Sequence, residues 1–170
     1  MEDVGILEGL LVIIHWLLAG VLIIQIDLEV LQGWVKVDLR FIELFHTKFV
    51  RGGRDLEKGV DCQGIFLAAM KLYGYDILDT DTACYATEVV SSLIDKAVKS
   101  DKWEKIEIPE EGCVVVFALD PFHPNLVQHL GVCVGEGKFI HILEKRGVCV
   151  TRIDDRFFGK KLRGCYKWKG

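Results

Sequence analysis

The chain has 170 residues, of which 51% are apolar, enough to bury a substantial core in one domain plus an extra segment. A formal charge of −4 with no Lys/Arg block argues against a surface that tracks nucleic-acid phosphates. Six cysteines (Cys62, Cys84, Cys113, Cys133, Cys149 and Cys165) form neither a CxxC pair nor a Cys/His cluster at zinc spacing, so the reduced, single-site reading is taken.

Residues 4–26, VGILEGLLVIIHWLLAGVLIIQI, hold fifteen Leu, Ile or Val, and only Glu8, His15 and Gln25 interrupt them. As a helix rising 1.5 Å per residue, this stretch reaches across a bilayer core of roughly 30 Å. The acidic start (Glu2, Asp3) is wrong for a secretory leader. A second pattern overlaps the first. IQIDLEV (24–30) and VKVDLRF (35–41) alternate apolar and polar residues around LQGW, the period of a hairpin. Three readings of residues 1–37 therefore stand: a membrane span, a segment packed on a partner or on its own core, and a removed leader.

From Asp38 onward the pattern is that of a domain covering 38–170. Asp38 is placed to cap a short helix running through Phe45. The glycine-rich loop RGGRDLEKG leads into a helix over 62–73, which Gly74 stops. A second helix is expected over 82–99, with Val90, Leu93, Ile94 and Ala97 on one face. After PEEG come five strand-like runs: CVVVFAL, VQHLGVCVG, KFIHILE, GVCVTRI and LRGCYKW. Helices followed by an antiparallel run of strands make the fold α+β.

Within that order, Asp61 is a good N-cap and puts Cys62 at the first helical position. Positions 62, 65, 66, 69 and 73 share one helix face, so the thiol is expected to point toward the sheet with Ile65 and Phe66. A helix N-terminus contributes about 0.3–1 kcal/mol, less than one pKa unit. Lowering a thiol from about 8.5 to well below 7 therefore requires a close cation as well.

His129 and His141 lie on successive strands joined at GEG. If the turn centres on Glu136 with an odd loop or a bulge, position 131 opposes 141. Both histidines then share a face, with Gly131 leaving room between them. An even two-residue loop alone would separate them. On one face they read as base (His129) and orienting group (His141) for a Cys62 nucleophile. His15, His46 and His123 read as ordinary polar positions.

GVDCQG before a helix, and HLGVCVGEGKFIH some 65 residues later, resemble the NlpC-type family of cell-wall cysteine peptidases, whose pattern is roughly Gly-x-Asp-Cys-Ser-Gly and then His-Val-Gly-Ile-x-x-Gly-x-Gly-x-Phe-x-His. The match runs from about residue 39 to 168. EEGCVVVF, FIHILEKRGVCVTRIDD and LRGCYKW look most like variants carried in the tails of tailed phages. The resemblance implies a papain-like α+β core with helices packed on a five- to six-stranded antiparallel sheet. It implies cleavage of peptidoglycan stem peptides with Cys62 as nucleophile, His129 as base and His141 as third polar residue, and no cofactor or metal. A virion-tail or cell-envelope location follows from it, with other tail proteins or a membrane as the partner of residues 1–37.

Three departures stand out. Phe49 occupies the place of a family tyrosine whose hydroxyl helps at the site. Gln63 replaces the serine after the nucleophile, and Cys113 replaces an aspartate. The backbone N–H groups of Cys62 and Gln63 remain suited to an oxyanion hole, and Arg54 is a candidate contact for stem-peptide carboxylates. Two rival functions are a catalytically weak structural part of a tail tip and a membrane-anchored acyltransferase or amidase of the same superfamily.

Overall fold

The computed structural model describes residues 39–80 and 86–170. The greasy stretch 4–26, the expected hairpin at 24–41 up to Asp38, and Cys84 lie outside the described residues. Among the described residues no helix is long and apolar enough to cross a membrane.

A 3-10 segment, Leu39–His46, opens the described chain where a short helix was expected. Two short strands, β1 (Arg54–Asp55) and β2 (Gly59–Val60), pair antiparallel within the glycine-rich loop. Helix α1 spans Cys62–Leu72, and Gly74 follows it at φ 82°. That left-handed position is the helix stop the glycine signalled. Helix α2 spans Thr87–Val98; its Val90, Leu93 and Ile94 are half-buried, whereas Ala97 is exposed. Ser91 is its one buried residue, and the Ser91 hydroxyl accepts from the Val127 N–H at 3.0 Å.

Six strands make the main sheet: β3 (Trp103–Ile106), β4 (Val114–Phe117), β5 (His129–Gly135), β6 (Lys138–Leu143), β7 (Gly147–Arg152) and β8 (Leu162–Trp168). All neighbours are antiparallel, in the order β3-β8-β4-β5-β6-β7. The last strand thus returns to lie between β3 and β4, while β4 to β7 form a meander. Strand β3 is the one the sequence pattern did not announce. Its WEKI carries two charges in four residues, and it forms because the Trp103 ring meets Trp168 edge-on at 4.8 Å across the β3–β8 pair.

Every residue of β4 is buried, because both faces of the sheet are covered. On one face α1 and the 3-10 segment contribute Phe41, Leu44, Ile65, Phe66, Ala69 and Met70, packed on Val114, Val116, Val132 and Ile140. On the other, Phe117, Phe139 and Phe158 pack with Cys113, Cys133 and Cys165. Those three cysteines act there as small hydrophobes.

Candidate active site

Asp61 holds the nucleophile loop together. The residue is 4% exposed, and Oδ1 accepts from the Gly64 N–H at 2.9 Å, the N-cap bond of α1. The same oxygen takes Arg54 Nη1 at 2.7 Å, and Oδ2 accepts from the Gly52 N–H at 3.0 Å. One buried carboxylate therefore ties loop and helix start to each other and fixes the backbone that carries Cys62. Arg54, the candidate contact for stem-peptide carboxylates, is held within the chain: its Nε also bonds Asp79 Oδ2 at 2.9 Å, so two carboxylates of the chain itself engage the guanidinium.

The Gln63 side chain is held by the segment that follows α1. Its Nε2 donates to Asp79 Oδ1 at 2.6 Å and to the Thr80 carbonyl at 3.0 Å. What residue 63 offers the site is its backbone N–H, which, with that of Cys62, faces the thiol sulfur and favours its anion. Phe49 pairs with Val60 in a parallel bridge and packs its ring on the core beneath α1. No hydroxyl is supplied from that position.

His129 and His141 are brought together. The β5–β6 hairpin turns through Glu136 (φ 51°) and Gly137 (φ 66°), two left-handed residues of a type I′ turn between Gly135 and Lys138. A two-residue turn alone would put the histidines on opposite faces. A bulge between Cys133 and Gly135 shifts the register by one, so Cys133 opposes Phe139 and Val132 opposes Ile140. Continued by one pair, that register sets Gly131 against His141. His129 Nε2 then lies 2.9 Å from His141 Nδ1, and the rings meet edge-on at 5.1 Å.

Gly131 has a different role from the one expected. A Cβ there would sit 2.3 Å from Phe139 Cδ2, so the glycine admits the Phe139 ring and not the imidazoles. Phe139 in turn stacks on His141 at 4.7 Å, with Phe158 edge-on to His141 at 4.9 Å. A third polar residue, unannounced by the sequence pattern, completes the chain. Thr151 Oγ1 lies 2.9 Å from His141 Nε2. It opposes Phe139 on β7, diagonal to His141, and the β6–β7 register of GVCVTRI is the signal that would have found it.

Burial dominates the electrostatics. His141 is fully buried and His129 is 6% exposed. Desolvation pushes His129 down to about 4; desolvation, with His129 as neighbour, pushes His141 down to about 3. Burial likewise pushes the Cys62 thiol up to about 11, and the Asp61 carboxylate adds to the rise, against the opposing pull of the Gln63 N–H and Arg54. The resting site thus holds a neutral thiol and neutral imidazoles, and neither imidazole is the close cation that a low thiol pKa requires. The helix-start contribution is too small to offset desolvation of the sulfur.

Cys62 is half-buried against the core under α1 and has no hydrogen bond to either histidine. A narrow apolar cavity lined by Cys62, Gln63, Phe66, Leu93, Gln128 and Leu130 lies on the α1 face of the sheet. His129 alternates with Gln128 and Leu130, and its ring lies with Phe117 and Phe158 on the other face, so the structure does not bring the expected nucleophile and base into contact. Among the described residues no hydrogen bond engages His129 Nδ1, the ring atom left to act as a base. Among the same residues no group of three His, Cys, Asp or Glu side chains could hold a metal ion.

The fold is similar to that of several solved proteins. A lipoprotein-like NLP/P60-family protein of Staphylococcus aureus superposes with a TM-score of 0.54 at 15% identity, over 77% of this chain and 39% of its own. An NlpC/P60-family protein of Bacillus cereus gives 0.50 at 19%, over 71% of this chain and 35% of its own. NlpC2 of Trichomonas vaginalis gives 0.50 at 21%, over 73% and 44%. The chain therefore spans well under half the length of each. No match is found among curated proteins. The sequence profile of the NlpC/P60 family matches residues 46–167, which takes in the capped helix start, the bulged hairpin and both histidines, and the chain belongs to that family.

Proposed function

We propose that the chain is a cysteine endopeptidase that hydrolyses peptide bonds in peptidoglycan stem peptides, with Cys62 as nucleophile, His129 as general base and His141 as the group that orients and polarises His129. The observation that carries this reading is the buried His129–His141 bond at 2.9 Å, which engages Nε2 and leaves Nδ1 without a hydrogen bond, in a chain that also starts a capped helix at Cys62. NlpC/P60 membership supports the substrate class.

In the proposed reaction the Cys62 proton passes to His129 Nδ1 as Sγ attacks the scissile carbonyl carbon. The backbone N–H groups of Cys62 and Gln63 receive the oxyanion. Collapse expels the amine, which takes the proton from Nδ1 and leaves a thioester on Cys62. Water, deprotonated by the same imidazole, then releases the acid and the free thiol. Cys62 and His129 rest neutral and on different faces of the sheet, so the first transfer requires a rearrangement that brings Sγ and Nδ1 together, since an adjacent imidazolium is what stabilises a buried thiolate.

Placement in a phage tail, with residues 1–37 contacting other tail proteins or a membrane, belongs to the same proposal and rests on sequence likeness alone. The structural, catalytically weak reading draws on Phe49 and on the open Cys62–His129 pair. Hydrolysis of purified stem peptides decides between them: wild-type protein cleaves, whereas Cys62→Ala and His129→Ala do not. Equal hydrolysis by Cys62→Ala would rule the mechanism out.

A further inference from the structure

We propose that Thr151 is a positioning residue, the terminal acceptor of a three-residue hydrogen-bond chain that fixes the histidine tautomers needed for His129 to act as base; this rests on the peptidase reading above. A neutral imidazole carries one proton. For His129 Nδ1 to accept the thiol proton, the proton of the neutral ring must sit on Nε2. The atom facing Nε2 is His141 Nδ1 at 2.9 Å, which must then be bare. The proton of His141 consequently lies on its own Nε2, and the atom 2.9 Å away is Thr151 Oγ1, a hydroxyl oxygen able to accept it. Thr151 is half-exposed, so solvent can meet its own hydroxyl proton.

The reverse chain satisfies the same two contacts. Thr151 then donates to His141 Nε2, His141 Nδ1–H donates to His129 Nε2, and His129 carries its proton on Nδ1, where it blocks the base. Catalysis selects the first arrangement. When His129 becomes an imidazolium, its Nε2–H polarises His141, and the acceptor at Oγ1 stabilises the charge from the far end. His141 is fully buried, and Thr151 Oγ1 is the acceptor the structure places at its Nε2.

The test has two arms. In 15N-edited NMR at pH 7, both rings of wild-type protein and of Thr151→Ser are expected as Nε2–H tautomers, with Thr151→Val showing exchange between tautomers. A wild-type His141 protonated on Nδ1 overturns the proposal. In stem-peptide hydrolysis, Thr151→Val, close to isosteric, is expected to lower kcat roughly tenfold with KM unchanged, while Thr151→Ser stays near wild type. A Thr151→Val enzyme with wild-type kcat overturns it too. The NMR arm uses no substrate, so a wild type that cleaves no stem peptide refutes the peptidase reading and leaves the tautomer assignment to be decided by its own result.

Discussion

The buried imidazole pair makes the fold acid-labile in a specific window. His129 titrates near 4 and His141 near 3 in the folded chain, against 6.5 when exposed. Both folded values are depressed, so below 6.5 the unfolded chain binds protons that the folded chain refuses. Stability is complete above pH 6.5 and falls as pH drops toward 4. At pH 4.5 each ring has lost about 2.5 kcal/mol, and the pair about 5 kcal/mol, at 1.36 kcal/mol per unit. That is comparable with the whole stability of a small domain, about 5–15 kcal/mol. Urea unfolding followed by tryptophan fluorescence at pH 7.5 and 4.5 measures the loss. The double variant His129→Gln/His141→Gln removes both titrations and retains every other group, including the half-buried His123 Nδ1–Asp120 Oδ2 pair at 2.8 Å, so its loss over the same interval should be smaller by about 5 kcal/mol. Equal losses in variant and wild type would show that these histidines are not held neutral in the core.

Other expectations follow from single contacts. Asp61→Ala removes the N-cap bond and strips Arg54 of its buried partner, and should cost about 2–4 kcal/mol of unfolding free energy in urea titrations. Gly131→Ala drives a Cβ to 2.3 Å from Phe139 Cδ2 and should cost about 1–3 kcal/mol, together with a shift in the NMR signals of His141, on which Phe139 stacks. In the resting protein, iodoacetamide should modify Cys62 at a rate that keeps rising past pH 9, as befits a thiol near 11, while the buried Cys113, Cys133 and Cys165 stay protected. A reactivity plateau below pH 7 would mean that Cys62 and His129 already form an ion pair.

Much of the site was legible because it is built from short-range rules. Asp61 before an amphipathic run announces a capped helix start, and the structure has it at Cys62. Alternation announced β5, β6 and β7, and the shared face of His129 and His141 followed once an odd register was allowed. The route to that register was not legible. Whether GEG makes a two-residue turn plus a bulge or a longer loop depends on how Gly135 is accommodated beside Glu111, a tertiary matter. Thr151 was missed for a related reason, since its contact is diagonal across a second hairpin. Strand β3 lacks any apolar alternation and exists through its pairing with β8. The direction of the Cys62 shift was hidden because desolvation, set by the packing of the whole chain, outweighs the local field of the helix start. Arg54 looked free in the sequence, and only the fold brings Asp61 and Asp79 to it.

In the proposed reaction Cys62 carries the acyl group of the cleaved stem peptide. Acid-quenching a reaction between the protein and a peptidoglycan stem peptide, and mapping the adduct by mass spectrometry, tests it directly. A thioester on Cys62 is expected to form and decay during turnover, to be absent in Cys62→Ala, and to be strongly suppressed in His129→Ala. Cleavage that proceeds unchanged in Cys62→Ala, with no adduct on the wild-type thiol, would contradict it.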